Sequence, residues 1–139
     1  MNSYQSHDYA ALMLRTSLGA MFIAHGLLKI MVFTLPGTAQ FFASAGFPGW
    51  AAYPVAYAEI GGGILLILGV YTRWVSLALI PILLGAMSVH LESGWVFSNP
   101  NGGWEYPAFL IAAGITQALL GDGAFAVKPK QLRQSILPA

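Results

Sequence analysis

The sequence predicts an all-α integral membrane protein, a four-helix bundle with a short interfacial helix in the first extracytoplasmic loop. Of its 139 residues, 57% are hydrophobic and only 8% are charged, and the mean hydropathy is +0.67. Soluble domains carry roughly 25% charged residues, so a soluble fold of this composition would lack the polar residues to cover its surface. Four long apolar stretches complete the prediction, because each can cross a bilayer as a helix.

The predicted spans cover residues 9–31, 51–70, 74–91 and 104–120, close to the length of about 20 residues that crosses the hydrocarbon core. We expect residues 1–139 to form one four-span domain. The connection from Val70 to Trp74 is so short that the second and third spans must be antiparallel neighbours. The N-terminus has no basic region before its apolar run, which favours a retained first span over a removed signal.

The first loop is predicted to contain a short helix over residues 38–45. Pro36 precedes this segment and Gly46 follows it, which is the usual arrangement at the two ends of a helix. Phe41 and Phe42 are apolar enough for the helix to lie in the membrane interface. The third loop has the turn signals of an irregular segment.

Small residues predict where the helices approach one another closely. Ala58 and Gly62 are four residues apart, and the three consecutive glycines Gly61–Gly63 begin two residues after Glu59. Such residues permit close contact between helix backbones in lipid.

Lysine and arginine predict the orientation. Arg73 lies in the second loop, and Lys128, Lys130 and Arg133 lie in the C-terminal tail, whereas the first and third loops contain neither residue type. Because cytoplasmic loops carry the excess of such cations, we expect both termini and the second loop to be cytoplasmic.

The composition also excludes several functions. A net charge of +1 provides no basic surface for nucleic acid. The chain has no cysteine, which rules out disulfides, thiol redox chemistry and thiolate-ligated metals. Any redox role therefore requires a bound cofactor or a partner chain.

Five ionisable residues lie at similar depth within the spans and are the candidate site: His25, Lys29, Glu59, His90 and Glu105. A charge inside a bilayer costs about 2.5–3.5 kcal/mol on insertion scales, so such residues tend to face a bundle interior or a cavity. At about 1.5 Å per residue, all four spans bring them into the outer half of the membrane. On the first span, Arg15, Phe22, His25 and Lys29 share one helix face.

Pairing is expected between Glu59 and either Lys29 or protonated His25, and between Glu105 and either His90 or the unused cation. Three interpretations remain open at this point. The pairs can serve only to fix helix packing, or His25, His90, Glu59 and Glu105 can bind a metal, although no local ligand motif supports this. The third is a site for a ligand, a proton or a partner. Aromatic residues at the same level can stack on a flat amphipathic molecule; they include Phe22, Phe33, Tyr53, Tyr57, Trp95, Trp104, Tyr106 and Phe109.

The sequence resembles the DoxX family of small four-span membrane proteins. The resemblance rests on Ala24–Lys29, on Phe41 with Gly46–Pro48, on Glu59–Gly63 with Leu68–Arg73, and on His90 and Glu105. The family commonly ends in a Gly-x-Gly segment followed by a serine and an aspartate, of which this chain keeps only the glycines, Gly121 and Gly123. The resemblance implies a multi-pass protein of the bacterial cytoplasmic (inner) membrane. Relatives are often described as quinol oxidase-like or thiosulfate:quinone oxidoreductase subunits, and some are linked to oxidative stress.

We therefore expect a membrane subunit of a redox-associated system, without a redox centre of its own. It would bind a quinone-like or other small amphipathic ligand in the outer half of the bundle, where Lys29, His25 and Glu59 hydrogen-bond the polar head or relay protons. A redox partner protein and a second copy of the chain are further expected partners. The alternative is a non-enzymatic membrane anchor or assembly protein whose polar cluster is structural.

The orientation can be tested with C-terminal fusions. A reporter that is active only in the cytoplasm should be active at the C-terminus, since every cation outside the spans lies on that side. Activity from a reporter that works only outside the cell would contradict the predicted topology.

Overall fold

The computed structural model describes residues 3–127, and within them the regular structure is entirely helical. Its α-helices are α1 (Ser3–Leu27), α2 (Leu35–Ser44), α3 (Ala52–Leu68), α4 (Thr72–His90) and α5 (Glu105–Leu120). A π-helical turn, Leu28–Val32, continues α1, and short 3-10 turns, Gly49–Ala51 and Leu91–Ser93, flank α3 and α4. The tail cations Lys128, Lys130 and Arg133 lie outside the described residues.

Three helical segments are long and apolar enough to cross a membrane, namely Ser3–Val32, Gly49–Leu68 and Thr72–Ser93 within the described part of the chain. This confirms the predicted helical membrane bundle. The apolar helix α5 has 16 residues, a length of about 24 Å, which is shorter than the roughly 30 Å hydrocarbon core. A complete fourth crossing by α5 remains a prediction.

The first and second long helices differ from the predicted spans at one end each. The first helix begins at Ser3 rather than residue 9, because hydropathy marks the lipid-crossing part of a helix and not its polar extension. Asp8 in this extension accepts a hydrogen bond from Ala124 N through its carbonyl oxygen (3.0 Å). The second span ends at Leu68 rather than residue 70, because Gly69 adopts the left-handed conformation, with φ of 74°, that terminates helices.

The short helix predicted in the first loop is present as α2. Thr34 caps its N-terminus, since the Thr34 hydroxyl accepts a hydrogen bond from Gly37 N at 3.2 Å. Pro36 occupies the first turn, and Gly46 follows the helix with φ of 86°. The predicted Pro-to-Gly boundaries therefore match the observed helix to within a few residues.

The bundle is organised as two helix pairs around an apolar core. Helix α1 packs mainly against α3, and α4 packs mainly against α5. The core combines residues of all four long helices: Leu18, Phe22, Leu66, Leu79, Leu83, Leu110 and Ala113.

Glycines set the distance between α1 and α3. A Cβ atom added to Gly63 would lie 2.6 Å from the carbonyl oxygen of Gly19, and one added to Gly19 would lie 2.6 Å from that of Gly63. Gly62 faces Leu79 of α4, whereas Gly61 faces open space. Gly62 and Gly63 therefore lie at helix contacts, as the sequence predicted. The close backbone contact of Gly63 is with Gly19.

One end of the bundle, which we call the Arg15 end, is held by a buried cation. Arg15 is 1% exposed and donates hydrogen bonds to the carbonyl oxygens of Leu66 (3.0 Å) and Ala124 (2.7 Å). Asp122 accepts a hydrogen bond from Thr72 N at 3.2 Å at the same end. The start of α4 and the ends of α3 and α5 therefore meet here, as alternating antiparallel helices require.

The close contact between α1 and α3 can be tested with two alanine substitutions in one helix. Gly63→Ala should lower the free energy of unfolding by about 1–3 kcal/mol through overpacking against a backbone oxygen. Gly61→Ala, the control, should be neutral or slightly stabilising because alanine has the higher helix propensity. Equal effects of the two changes in a denaturation assay would contradict the observed helix contact.

Candidate functional site

An ion pair joins α1 and α3 at the end of the bundle opposite Arg15. Lys29 Nζ donates hydrogen bonds to Glu59 Oε1 at 2.8 Å and to Oε2 at 2.7 Å. The side chains of Lys29 and Glu59 are only 19% and 6% exposed. Of the two partners predicted for Glu59, the structure places Lys29 in contact. An ammonium group has three N–H donors, and the contacts with the two carboxylate oxygens account for two of them.

A π-helical turn positions Lys29. Phe33 N donates to the carbonyl oxygen of Leu28 (3.0 Å), which is the five-residue spacing of a π-helix. The buried hydroxyl of Thr38 in α2 shares its hydrogen between the carbonyl oxygens of Thr34, at 2.9 Å, and Lys29, at 3.1 Å. Helix α2 is thereby fixed against the turn that carries the lysine. Turns of this kind occur frequently at functional sites.

Gly26, three residues before Lys29, allows Glu59 to reach it. A Cβ atom added to Gly26 would lie 2.8 Å from the carbonyl oxygen of Ala56 and 3.3 Å from Glu59 Cβ. Since any side chain would push α3 away, the glycine sets the backbone separation that the ion pair spans.

The ion pair borders a small cavity of about 150 Å³, which we call the inner cavity. Four of the five predicted site residues line it: His25, Lys29, Glu59 and His90. The remaining lining residues are Met21, Phe22, Ile82, Leu83, Ala86, Tyr106, Pro107 and Leu110. Phe22, Leu83 and Leu110 also belong to the apolar core, which therefore closes the inner cavity towards the Arg15 end.

Hydrogen bonds to backbone carbonyls assign the same tautomer to both histidines. His25 Nδ1 lies 2.8 Å from Met21 O, and His90 Nδ1 lies 2.8 Å from Asn101 O. A carbonyl oxygen only accepts, so each Nδ1 carries the proton and donates it. Nε2 is then the nitrogen of each ring that can exchange a proton with a ligand.

Tyr106 of α5 completes the wall of the inner cavity. Its ring stacks on His25, with centroids 6.1 Å apart and an interplanar angle of 27°. Its hydroxyl donates to Met21 Sδ at 3.3 Å. Phe22 and Tyr106 are thus the two aromatic residues from the predicted set that line this cavity.

Glu105 does not join the inner cavity, and the expected pair between Glu105 and His90 is not formed. Glu105 Oε1 instead accepts a hydrogen bond from Phe97 N at 2.9 Å. The third loop folds back onto the first turn of α5, where Glu105 N donates to Trp95 O at 3.1 Å. The carboxylate therefore binds a loop amide, which depth along the helix could not indicate.

Glu105 lines a larger, open groove beside the inner cavity, which we call the outer groove. Its volume is about 960 Å³. His90, Tyr106 and Pro107 line both spaces, so the two are adjacent and share a wall. The other lining residues of the outer groove are Trp95, Phe97, Gly102, Gly103, Ala108 and Phe109.

The described residues contain no group of three or more His, Cys, Asp or Glu side chains placed to hold a metal ion. The polar atoms at the inner cavity instead comprise an ammonium donor, a carboxylate and two imidazoles. Such groups can hydrogen-bond a carbonyl or hydroxyl group and transfer protons to or from it.

Three residues that shape the site were missed by the sequence interpretation. Gly26 had a usable signal, because it lies seven residues after Gly19 and so shares its helix face. Thr38 had none, since a buried hydroxyl in a short loop helix resembles any solvent-facing one. Met21 reads as ordinary apolar sequence.

Comparisons with known proteins identify the family. The DoxX family model matches residues 10–91. A protein of Bacillus subtilis (strain 168) named "Putative oxidoreductase CatD" is 34% identical over 126 residues, which cover 90% of this chain and 89% of that protein. No solved structure matches the chain significantly. The family model spans more than half of the chain and the relative nearly all of it, and the chain therefore belongs to the DoxX family.

Proposed function

We propose that this protein is a membrane subunit of a redox-associated system that binds the polar head of a quinone-like molecule in the inner cavity. The observation that carries the proposal is the convergence of Lys29, Glu59, His25 and His90 from three helices on one small cavity. Charged groups in membrane helices are costly and commonly mark functional sites. The oxidoreductase name of the Bacillus relative supports the redox association.

The size and chemistry of the inner cavity fit a single ring with polar substituents. A cavity of about 150 Å³ accommodates benzene in another protein, and the inner cavity has this volume. The third N–H of Lys29 can donate to a ring carbonyl, and Tyr106 with Phe22 provides aromatic surface. When bound, a quinone would supply an electron-accepting group. The chain itself has no cysteine and therefore no thiol or disulfide for redox chemistry.

Proton exchange at the bound head would fall to the neighbouring side chains. His25 Nε2 and His90 Nε2 can each accept or release a proton while Nδ1 remains bonded to a carbonyl. Both carboxylate oxygens of Glu59 accept from Lys29 Nζ and hold it beside the inner cavity. Electrons must come from a partner, and a redox partner protein is accordingly part of this proposal.

The second candidate function is a non-enzymatic anchor or assembly protein. It is supported by the completeness of the ion pair, in which Lys29 already contacts both oxygens of Glu59. In that case the pair would serve only to fix α1 against α3. The outer-half location, the inner membrane and cytoplasmic termini remain proposals under either function.

Single substitutions test whether the ion pair is buried in the folded protein. Lys29→Met or Glu59→Gln should each lower the free energy of unfolding by about 3–5 kcal/mol, because each leaves a desolvated polar partner. Glu92→Gln is the control, since Glu92 is exposed in the 3-10 turn that follows α4. Thermal denaturation in detergent measures the difference, and equally silent variants would contradict burial of the pair.

A double substitution separates the two candidate functions. Lys29→Met with Glu59→Leu should regain most of the lost stability, because apolar replacement of a whole buried pair is often neutral or stabilising. Binding of decylplastoquinone should remain weakened roughly 10- to 100-fold, since hydrogen bonds to charged groups contribute about 1.5–3 kcal/mol. Calorimetric titration measures the binding. A stable double variant that binds the quinone like wild type would support the structural role instead.

A further inference from the structure

We propose that the outer groove holds the apolar tail of the same ligand, whose single-ring head lies in the inner cavity. The inference rests on the proposed function and adds to it the shape of the ligand and its route of entry. It follows from the two spaces sharing the residues His90, Tyr106 and Pro107.

The volumes of the two spaces differ in a way that assigns their occupants. Pockets for drug-sized ligands measure about 300–1,000 Å³. The inner cavity, at about 150 Å³, is too small for such a ligand and matches one ring. The outer groove, at about 960 Å³, is at the upper end of the range. A ligand that fills both has a small head and a long tail.

The side chains that line the two spaces also differ in polarity, as expected for a ligand with a polar head and an apolar tail. Of the two spaces, the inner cavity is the one lined by a buried ion pair, that of Lys29 and Glu59. The outer groove is lined largely by apolar and aromatic side chains, of which Phe97 and Phe109 are 67% and 69% exposed. Glu105 is the one acidic residue among its lining residues, and a loop amide already binds it. An uncharged hydrocarbon chain suits such a surface.

The shared wall also defines the direction of entry. The apolar core closes the inner cavity towards the Arg15 end. The open outer groove is lined by the third loop and the first turns of α5, and it adjoins the inner cavity at His90 and Tyr106. A lipid-soluble ligand can therefore enter from the bilayer with its tail remaining outside the core.

Photolabelling with a tailed quinone tests the assignment directly. The probe is plastoquinone with a ten-carbon tail that ends in a diazirine, added to the full chain in phosphatidylcholine nanodiscs. After illumination, mass spectrometry should find adducts on the outer groove at Phe97, Ala108 or Phe109. Excess unlabelled decylplastoquinone should remove these adducts.

A space-filling substitution supplies the matched comparison. Ala108→Trp places a large side chain in the outer groove and should lower groove labelling about tenfold, equivalent to 1.4 kcal/mol. Ala78→Trp makes the same change at an exposed position of α4 outside both spaces and should leave labelling unchanged. The map of adducts on the wild-type chain decides the proposal even if Ala108→Trp fails to fold.

The outcomes distinguish this inference from the proposed function. Adducts could instead form on another helix, be removed by excess decylplastoquinone and be lost in Lys29→Met. This result would support the binding of the head in the inner cavity but overturn the placement of the tail in the outer groove. If excess decylplastoquinone did not reduce the adducts in the outer groove, bilayer lipid would occupy the groove. That result would also overturn the proposed tail site. No competed adduct anywhere would overturn the proposed function itself.

The single-ring head is tested by a competitor with the same tail. A naphthoquinone that carries a decyl chain has two fused rings and should compete at least about tenfold less well than decylplastoquinone, equivalent to 1.4 kcal/mol. Equal competition would show that the head is not limited to one ring.

Discussion

The end of the bundle opposite Arg15 is arranged around the ion pair between Lys29 and Glu59. A lone charge among membrane helices would be costly, whereas a pair with both carboxylate oxygens bound satisfies most of its hydrogen-bonding groups. The backbone separation needed for the pair comes from glycines, Gly26 near the pair and Gly19 with Gly63 at mid-bundle. The π-helical turn and Thr38 then hold the lysine backbone in place.

The two ends of the bundle use buried cations differently. Arg15 donates to backbone carbonyls at the ends of helices and so joins the chain segments there. Lys29 meets a side-chain carboxylate next to a cavity and retains a donor. An apolar layer that includes Leu18, Phe22 and Leu66 separates the two. Arg15 is thus structural by its contacts, and the chemistry proposed here is confined to the other end.

Helix geometry explains which parts of this account were predictable. A constant rise per residue fixes depth, so the convergence of His25, Lys29, Glu59 and His90 followed from their positions along the spans. Depth does not fix the direction of a side chain at a helix end, and Glu105 therefore binds the amide of Phe97 instead of the expected His90. The π-helical turn has no propensity signature in the sequence. The contact of this turn with Thr38 of α2 joins residues that are nine apart, and no local pattern indicates it.

Binding of the quinone head at Lys29 can be tested most directly by a distance measurement. Solid-state NMR of the ¹⁵N-lysine protein in bilayers, with decylplastoquinone labelled by ¹³C at its ring carbonyls, reports the separation from Nζ to the carbonyl carbon. The two other lysines, Lys128 and Lys130, lie in the C-terminal tail. A hydrogen bond predicts about 4 Å for Lys29. Absence of this coupling at saturating quinone would contradict the account.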